Sequence, residues 1–360
     1  MTFDEVRAEF PVLERVAYLN AGTFGPLARR TSAALVGEAQ AEVERGRGGK
    51  PFYERIQELR GRVRGLLAAE LSVPAENVAL TYSTSDACNV VLGGLGLAPE
   101  DEIVTTDSEH FGLLGPLHGS GARVRVAAIH ERPAAEALDA ILAETSPRTA
   151  LVAVSHVTWT KGHVLPLAEL AERVDAPILV DGAQSVGAIP VDARACDFYT
   201  ISGQKWLCGP DATGGLYVAD PDRLRVSRPG YLSQVSYRSD GGYDPRPGAT
   251  RFDTGWLPTG SVAGLEAALG GRPDWRYERA REMAERCRER LATGFEVVTE
   301  PGHATMVSFR VDADSSALVL KLFERGVLVR DLPGLGLLRA SCGYWTSDED
   351  LDRLVAALSD

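Results

Sequence analysis

The chain has 360 residues, 44% of them hydrophobic, and sets 38 basic against 50 acidic side chains for a net charge of −12. At roughly 150 residues per domain this predicts about two domains with a sizeable core, which excludes disorder as the main description, and an acidic chain without a Lys/Arg block argues against nucleic acid as a partner. Apolar stretches such as Ala150 to Val154 and Ala176 to Val180 are far shorter than the ~20 residues of a spanning helix, and Met1 to Glu5 carries no secretory signal, so a cytoplasmic enzyme without membrane contact is expected.

In chain order, Leu27 to Glu44 and Tyr53 to Ala69 read as helices joined by the loop Gly46 to Pro51. From Asn77 to Val218 short apolar runs alternate with amphipathic stretches, the pattern of an α/β domain with a largely parallel sheet. The expected strands are Val78 to Tyr82, Glu102 to Thr106, Arg123 to Ala128, Ala150 to Val154, Ile178 to Val180, Phe198 to Ile201 and Gly215 to Val218. Arg228 to Pro258 has no usable period and reads as an active-site or interface loop. Helices follow at Ser261 to Leu269 and Trp275 to Leu291, then strands at Glu296 to Val298 and Thr305 to Arg310, a helix at Ser315 to Arg325, strands at Val327 to Arg330 and Leu337 to Ala340, and a helix at Asp348 to Leu358. Thr346 and Glu349 have the spacing of a capping box for that last helix. The layout predicts residues 1–20 packing with the small domain, a large α/β domain over 21–270 and a small α+β domain over 271–360.

Five scattered cysteines, Cys88, Cys196, Cys208, Cys287 and Cys342, include no CxxC pair, so neither a disulfide framework nor a metal site is expected. Lysines are only four, Lys50, Lys161, Lys205 and Lys321. Asp181 stands at the end of a buried strand, where ligands of parallel sheets bind. The next strand leads through a glycine turn to Lys205, so a carboxylate and an amine meet at one sheet edge. That pairing suits pyridoxal phosphate, whose aldehyde takes a lysine amine and whose ring nitrogen needs a carboxylate to stay protonated as an electron sink. Taken singly, Asp181 would cap a turn and Lys205 would be a solvated surface lysine. Ser83, Thr84, Ser85 and Asp86 open a helix and offer hydroxyls and free amides to a phosphate, although the same residues are ordinary N-caps. His110 follows a strand and could stack on a flat ring.

With these residues in place the chain resembles the class V aminotransferase superfamily of fold type I pyridoxal phosphate enzymes, which includes cysteine desulfurases, isopenicillin N epimerases and cyst(e)ine lyases. The similarity runs from Tyr18-Leu-Asn-Ala-Gly22 to the segment Leu338 to Thr346. It is strongest toward the cyst(e)ine carbon–sulfur lyases, through Cys88 to Leu92, Asp107 to His110, Ser155 to Trp159 with Gly162, and Val180 to Ser185. The resemblance implies a mostly parallel seven-stranded sheet in the large domain and a homodimer. It implies that Lys205 holds the cofactor, Asp181 pairs with the ring nitrogen, His110 stacks on the ring and Gln184 bonds the phenolic oxygen, with Thr158 where relatives often have Asn. Thr84, Ser85, Ser202 and Gln204 would hold the phosphate, helped by Thr259 from the partner chain. Arg339 would grip the substrate carboxylate, with Arg330 as a second arginine and Thr23 on the substrate side.

Two departures shape the expected activity. Gln204 stands where relatives carry His before the lysine, and an amide cannot titrate near neutral pH. The segment Asp331 to Gly336, where desulfurases carry a nucleophilic cysteine, contains none. The expected reaction is β-elimination from cysteine, cystine or an S-substituted cysteine to give pyruvate and ammonia. The alternatives are transamination, epimerisation and desulfuration with the same cofactor, and a noncatalytic binding protein on the same fold. A serine hydrolase lacks GxSxG, and a nicotinamide enzyme lacks GxGxxG after the first strand.

Overall fold

The computed structural model describes residues 1–359. The chain opens with helix α1 (Phe3–Ala8) and strand β1 (Ala17–Tyr18), then helices α2 (Arg29–Arg45) and α3 (Gly49–Leu71). Strands and helices then alternate as β2 (Val78–Thr81), α4 (Thr84–Leu95), β3 (Glu102–Thr106), α5 (Phe111–Gly119), β4 (Arg123–Ala127), α6 (Ala137–Ala143), β5 (Thr149–Ser155), α7 (Leu167–Arg173) and β6 (Ile178–Asp181). Three strands complete this part, β7 (Phe198–Ser202), β8 (Gly214–Val218) and β9 (Gln234–Tyr237), followed by β10 (Tyr243–Pro245) and helix α8 (Thr259–Gly270). The remainder is α9 (Arg276–Leu291), β11 (Met306–Arg310), α10 (Ser315–Glu324), β12 (Val327–Leu328), β13 (Arg330–Leu332), β14 (Leu337–Ser341) and α11 (Asp348–Ser359).

All seven expected strands join one sheet in the order β2-β8-β7-β6-β5-β3-β4, parallel except for β8, which runs against both neighbours. Apart from the edge strand β4, its strands are buried on both faces, as a sheet covered by helices on each side requires. Along β5, Val152 and Val154 face the layer of α3 and α8 with Leu59, Val63 and Leu265, while Leu151 and Ala153 face α4 and α5 with Val91, Leu113 and Leu117. β3 leads outward to β4, whereas β5 returns to the other side of β3 and β6 and β7 continue away from it. The connections diverge between β3 and β5, and a crevice opens there at the carboxyl ends of the strands.

The C-terminal region folds as the antiparallel sheet β11-β14-β13 under α9, α10 and α11, around Met283, Leu291, Phe309, Leu322, Leu338 and Leu354. The N-terminal segment is bound to it: β1 pairs with β12 in parallel, and Arg7 grips the buried Asp350 with both guanidinium nitrogens at 2.7 and 3.0 Å.

Four local expectations change. α3 begins at Gly49, inside the expected loop, because Pro51 falls in the first helical turn, where a missing N–H costs no hydrogen bond. The last helix is capped one residue later than the Thr346 and Glu349 spacing suggests: Ser347 and Asp350 exchange the bonds (Asp350 N to Ser347 Oγ 3.2 Å, Ser347 N to Asp350 Oδ2 2.9 Å), while Thr346 Oγ1 accepts from Gly343 N. Glu296 to Val298 forms only an isolated bridge from Val297 to Phe309, since Ser308 N turns to the Thr299 hydroxyl at 2.8 Å. Val327 to Arg330 divides between β12 and β13, which belong to different sheets.

The stretch Arg228 to Pro258 is also more ordered than its sequence suggests. β9 and β10 pair as an antiparallel ribbon, and the return segment is pinned by Asp253, which accepts from Arg60 Nη2 at 2.7 Å, Arg64 Nη2 at 2.9 Å and Leu80 N at 2.8 Å. Thr254 Oγ1 donates to Asp86 at 2.6 Å, and Arg228 pairs with the same carboxylate, which ties the segment to the first turn of α4.

Candidate active site

The crevice encloses a cavity of about 170 Å³. Each side of it is the end of a strand or the beginning of a helix. The end of β6 contributes Asp181, Ala183 and Gln184, the end of β7 contributes Ser202, Gln204 and Lys205, and the end of β5 contributes Ser155. Ser83, Thr84 and Ser85 come from the start of α4, and His110 and Gly112 from the start of α5. Trp159 completes the lining. Sequentially remote residues thus converge because parallel strands end at one edge.

Lys205 reaches the cavity because the turn after β7 is tight. Gly203 lies against Thr213, and a Cβ there would stand 2.1 Å from the Thr213 hydroxyl. Gly203 N bonds Thr213 O at 2.9 Å, and Gly209 N bonds Gly203 O at 2.8 Å. Burial lowers the Lys205 amine to about 8, against the opposing pull of Asp181 and with a further push from Arg339. Asp181 is buried, and its Oδ1 accepts from Ala183 N at 2.8 Å. Behind it, His156 Nδ1 and Ser185 Oγ both meet the Tyr199 hydroxyl at 2.6 Å, and burial pushes His156 down to about 4, so it adds no charge there at neutral pH.

The start of α4 gives the cavity a wall suited to an anion. Ser83 caps α4, its hydroxyl accepting from Asp86 N at 3.2 Å, and the helix start faces the cavity. Thr84 Oγ1 is buried without a hydrogen-bond partner. Such an orphaned donor beside free helix amides fits a phosphate. Ser202 Oγ donates to Gln204 Oε1 at 2.9 Å, which leaves the amide's donor end for the same anion. A phosphate wall, a lysine whose amine burial shifts down and a carboxylate around one small cavity match the three ends of pyridoxal phosphate.

His110 sits at the rim. Its Nδ1 accepts from Gly112 N at 3.0 Å, and its ring meets Trp159 edge-on with centroids 5.3 Å apart. Partial desolvation and Lys205 hold this imidazole below its usual value, so the neutral form carries its proton on Nε2. Gln184 is held from both sides, with Nε2 donating to Gly22 O and Oε1 accepting from Trp206 Nε1, each at 2.9 Å.

Arg339 lies just behind the lining. It is only 2% exposed, Nη1 donates to Trp159 O at 2.7 Å, and Nε has no partner. No carboxylate pairs with it among the described residues, and burial together with Arg330 lowers it to about 10. A buried guanidinium without a counter-ion is costly unless an anion joins it. Gly22 leaves the approach open, since a Cβ there would lie 2.7 Å from Arg339 Nη2.

Several expected residues lie elsewhere. Thr158 does not line the cavity: its Oγ1 accepts from His163 N at 3.0 Å, which closes a turn, and Trp159 takes the wall position. Arg330 stands opposite Arg339 across β13 and β14, exposed and beside Asp331 at 3.7 Å. Thr23 is half-buried in the turn after Asn20, and Thr259 is buried at the start of α8, outside this chain's cavity. Ser155 and Trp159, inside a motif of the sequence, gained no role from it, although the end of a buried parallel strand was itself a signal for Ser155.

Comparison with known proteins agrees with this geometry. The family described as aminotransferase class-V matches residues 34–354. An isopenicillin N epimerase of Amycolatopsis lactamdurans is 32% identical, covering 96% of this chain and 95% of that protein. A cysteine desulfurase of Enterobacter sp. (strain 638) is 32% identical, covering 74% and 70%. Among solved structures, the cystine C–S lyase C-DES in complex with its product cysteine persulfide superposes with a TM-score of 0.89 at 30% identity, covering 98% of this chain and 99% of that one.

Proposed function

The chain belongs to the aminotransferase class-V family and is a pyridoxal-phosphate-dependent enzyme, and from that premise we propose that it cleaves the β-carbon–sulfur bond of a cysteine-type amino acid by elimination. With water the products are pyruvate, ammonia and the sulfur leaving group. One observation carries the choice over desulfuration: all five cysteines are buried and none lines the cavity, and the segment that would present a nucleophilic thiol is the short turn between β13 and β14, with no cysteine in it. A persulfide-forming thiol must be mobile and partly exposed.

When bound, the cofactor supplies the electron sink for the substrate's α-carbon. Lys205 holds it and, as the free amine that burial favours, takes the α-proton on Nζ. Asp181 would face the ring nitrogen, Thr84, Ser85, Ser202 and Gln204 would hold the phosphate, His110 would cover the ring and Gln184 would meet its phenolic oxygen. Arg339 binds the substrate carboxylate through its planar fork. Gln204 acts as a neutral donor, so proton transfer rests on Lys205 alone.

The assembly is a homodimer in this reading. Phe24 and Phe111 beside the cavity, Tyr231 in the turn before β9, and Val235 and Tyr237 on β9 are exposed apolar side chains suited to a second copy. Thr259, at the start of α8, would serve the partner's phosphate site. Epimerisation is the second reading, favoured by the 32% identity to an isopenicillin N epimerase. Product analysis separates the two: elimination releases pyruvate, and epimerisation returns the enantiomer with no pyruvate.

A further inference from the structure

The described residues include few buried acids, and all but one have an assigned partner or role. Glu102 is paired with Arg148 and Arg125, Asp253 with Arg60 and Arg64, and Asp350 with Arg7, while Asp181 belongs to the cavity. Glu109 remains. It is buried between the end of β3 and the end of β5, with no lysine or arginine in ion-pair contact among the described residues. Its carboxyl accepts from Thr106 Oγ1 at 2.7 Å, from Ser155 N at 3.0 Å and from the Ser155 hydroxyl.

Ser155 links this acid to the site. It lines the cavity, and in the β5/β6 ladder it is the direct neighbour of Asp181. The titratable groups facing Glu109 are Asp181 from β6 and the buried Cys88 from α4. Neither is cationic, so nothing fixes the carboxyl in its charged form except the hydrogen bonds from Ser155 and Thr106.

We propose that Glu109 is a positioning residue for the ring-nitrogen end of the cofactor: its carboxyl holds Ser155 in the cavity lining and sets the negative charge beside Asp181. The proposal rests on the pyridoxal phosphate reading and on Asp181 as the partner of the ring nitrogen. Burial moves the Glu109 carboxyl up to about 7 against the pull of the Ser155 and Thr106 hydrogen bonds, and Asp181 adds to the rise. The carboxyl is thus neutral in mildly acidic solution and charged in mildly basic solution. In the charged state it stabilises positive charge on the bound cofactor and delays the loss of its proton as pH rises.

The test is a pH titration of the visible absorbance of the cofactor-loaded protein in its natural form and as Glu109→Gln and Ser155→Ala. Glu109→Gln keeps the shape and removes the charge, and its midpoint falls by about half a pH unit or more. Ser155→Ala removes one donor to the carboxylate, so the charge appears at higher pH and the midpoint moves the same way by less. This second variant carries the test if Glu109→Gln does not fold. Folded variants that titrate at the natural midpoint overturn the role of Glu109 alone. A natural protein that develops no visible band with pyridoxal phosphate overturns the cofactor reading and this proposal with it.

Discussion

At Lys205, desolvation sets both reactivity and stability. Burial takes the amine from its usual 10.5 to about 8, so in the cofactor-free protein the charged form is disfavoured by folding. The unfolded chain binds the proton more tightly than the native one, and stability therefore rises with pH between about 8 and 10.5. Lys205→Met in cofactor-free protein is expected to gain about 1–2 kcal/mol at pH 7 in urea denaturation and to lose that advantage by pH 10.5. The same variant should show no visible lysine-bound cofactor band, and a surviving band would move the attachment to another lysine. Arg339 gives a second prediction at this scale. Lysine keeps the charge but not the fork, so Arg339→Lys should lower kcat/KM about 100-fold, mainly through KM, with the cofactor spectrum unchanged. An unchanged KM would place the substrate carboxylate elsewhere.

The elements that carry the site are held by buried polar anchors away from it. Burial pushes the Asp253 carboxyl up, but Arg64 and Arg60 outweigh this and hold it below its usual value. Its stabilising effect is present above the unfolded carboxylate range and is lost as pH falls through the lower native value. Asp253→Ala leaves two buried guanidinium groups without their acid and should cost about 3 kcal/mol in denaturant unfolding; a cost below about 1 kcal/mol would show that solvent reaches the arginines. Ser347→Ala should cost about 1 kcal/mol through the lost cap of α11, whereas Glu349→Ala should be near neutral. Equal losses would restore the cap one residue earlier. These elements also show what the sequence could reveal. The inner strands of the main sheet were legible because they are buried on both faces and read as apolar runs, as in Ile178 to Val180, and the edge strand β4 through its alternation of Arg and Val. The ribbon of β9 and β10 was not, because it is short and exposed, and the return segment after it is held by Arg60, Arg64 and Asp86, far away in sequence. Lys205 and Asp181 could be found because the lysines are few and strand ends hold ligands. The inward turn of Trp159 in place of Thr158, the isolation of Arg339 and the burial of Glu109 depend on packing between strands and appear only once the chain is folded.

The whole molecule joins a doubly covered sheet to an antiparallel C-terminal layer, with α1 and β1 fastened across to that layer by β12 and Asp350. The cavity lies at the edge where the strand connections diverge, and Arg339 of β14 stands just behind its lining, bonded to the carbonyl of Trp159. In the proposed function substrate binding draws on both layers, with carboxylate recognition by Arg339 on one and proton transfer by Lys205 on the other. A homodimer formed over the exposed aromatic rim predicts a particle of twice the chain mass in sedimentation equilibrium, and a monomer that keeps full activity would contradict that assembly. The central claim is the fate of the carbon–sulfur bond. Its most direct test is product identification with the cofactor-loaded protein and L-cystine, L-cysteine and S-substituted cysteines. Elimination predicts stoichiometric pyruvate and ammonia with sulfide from cysteine, a persulfide from cystine or a thiol from an S-substituted cysteine, and no alanine; alanine with persulfide, or the D-enantiomer without pyruvate, would contradict it.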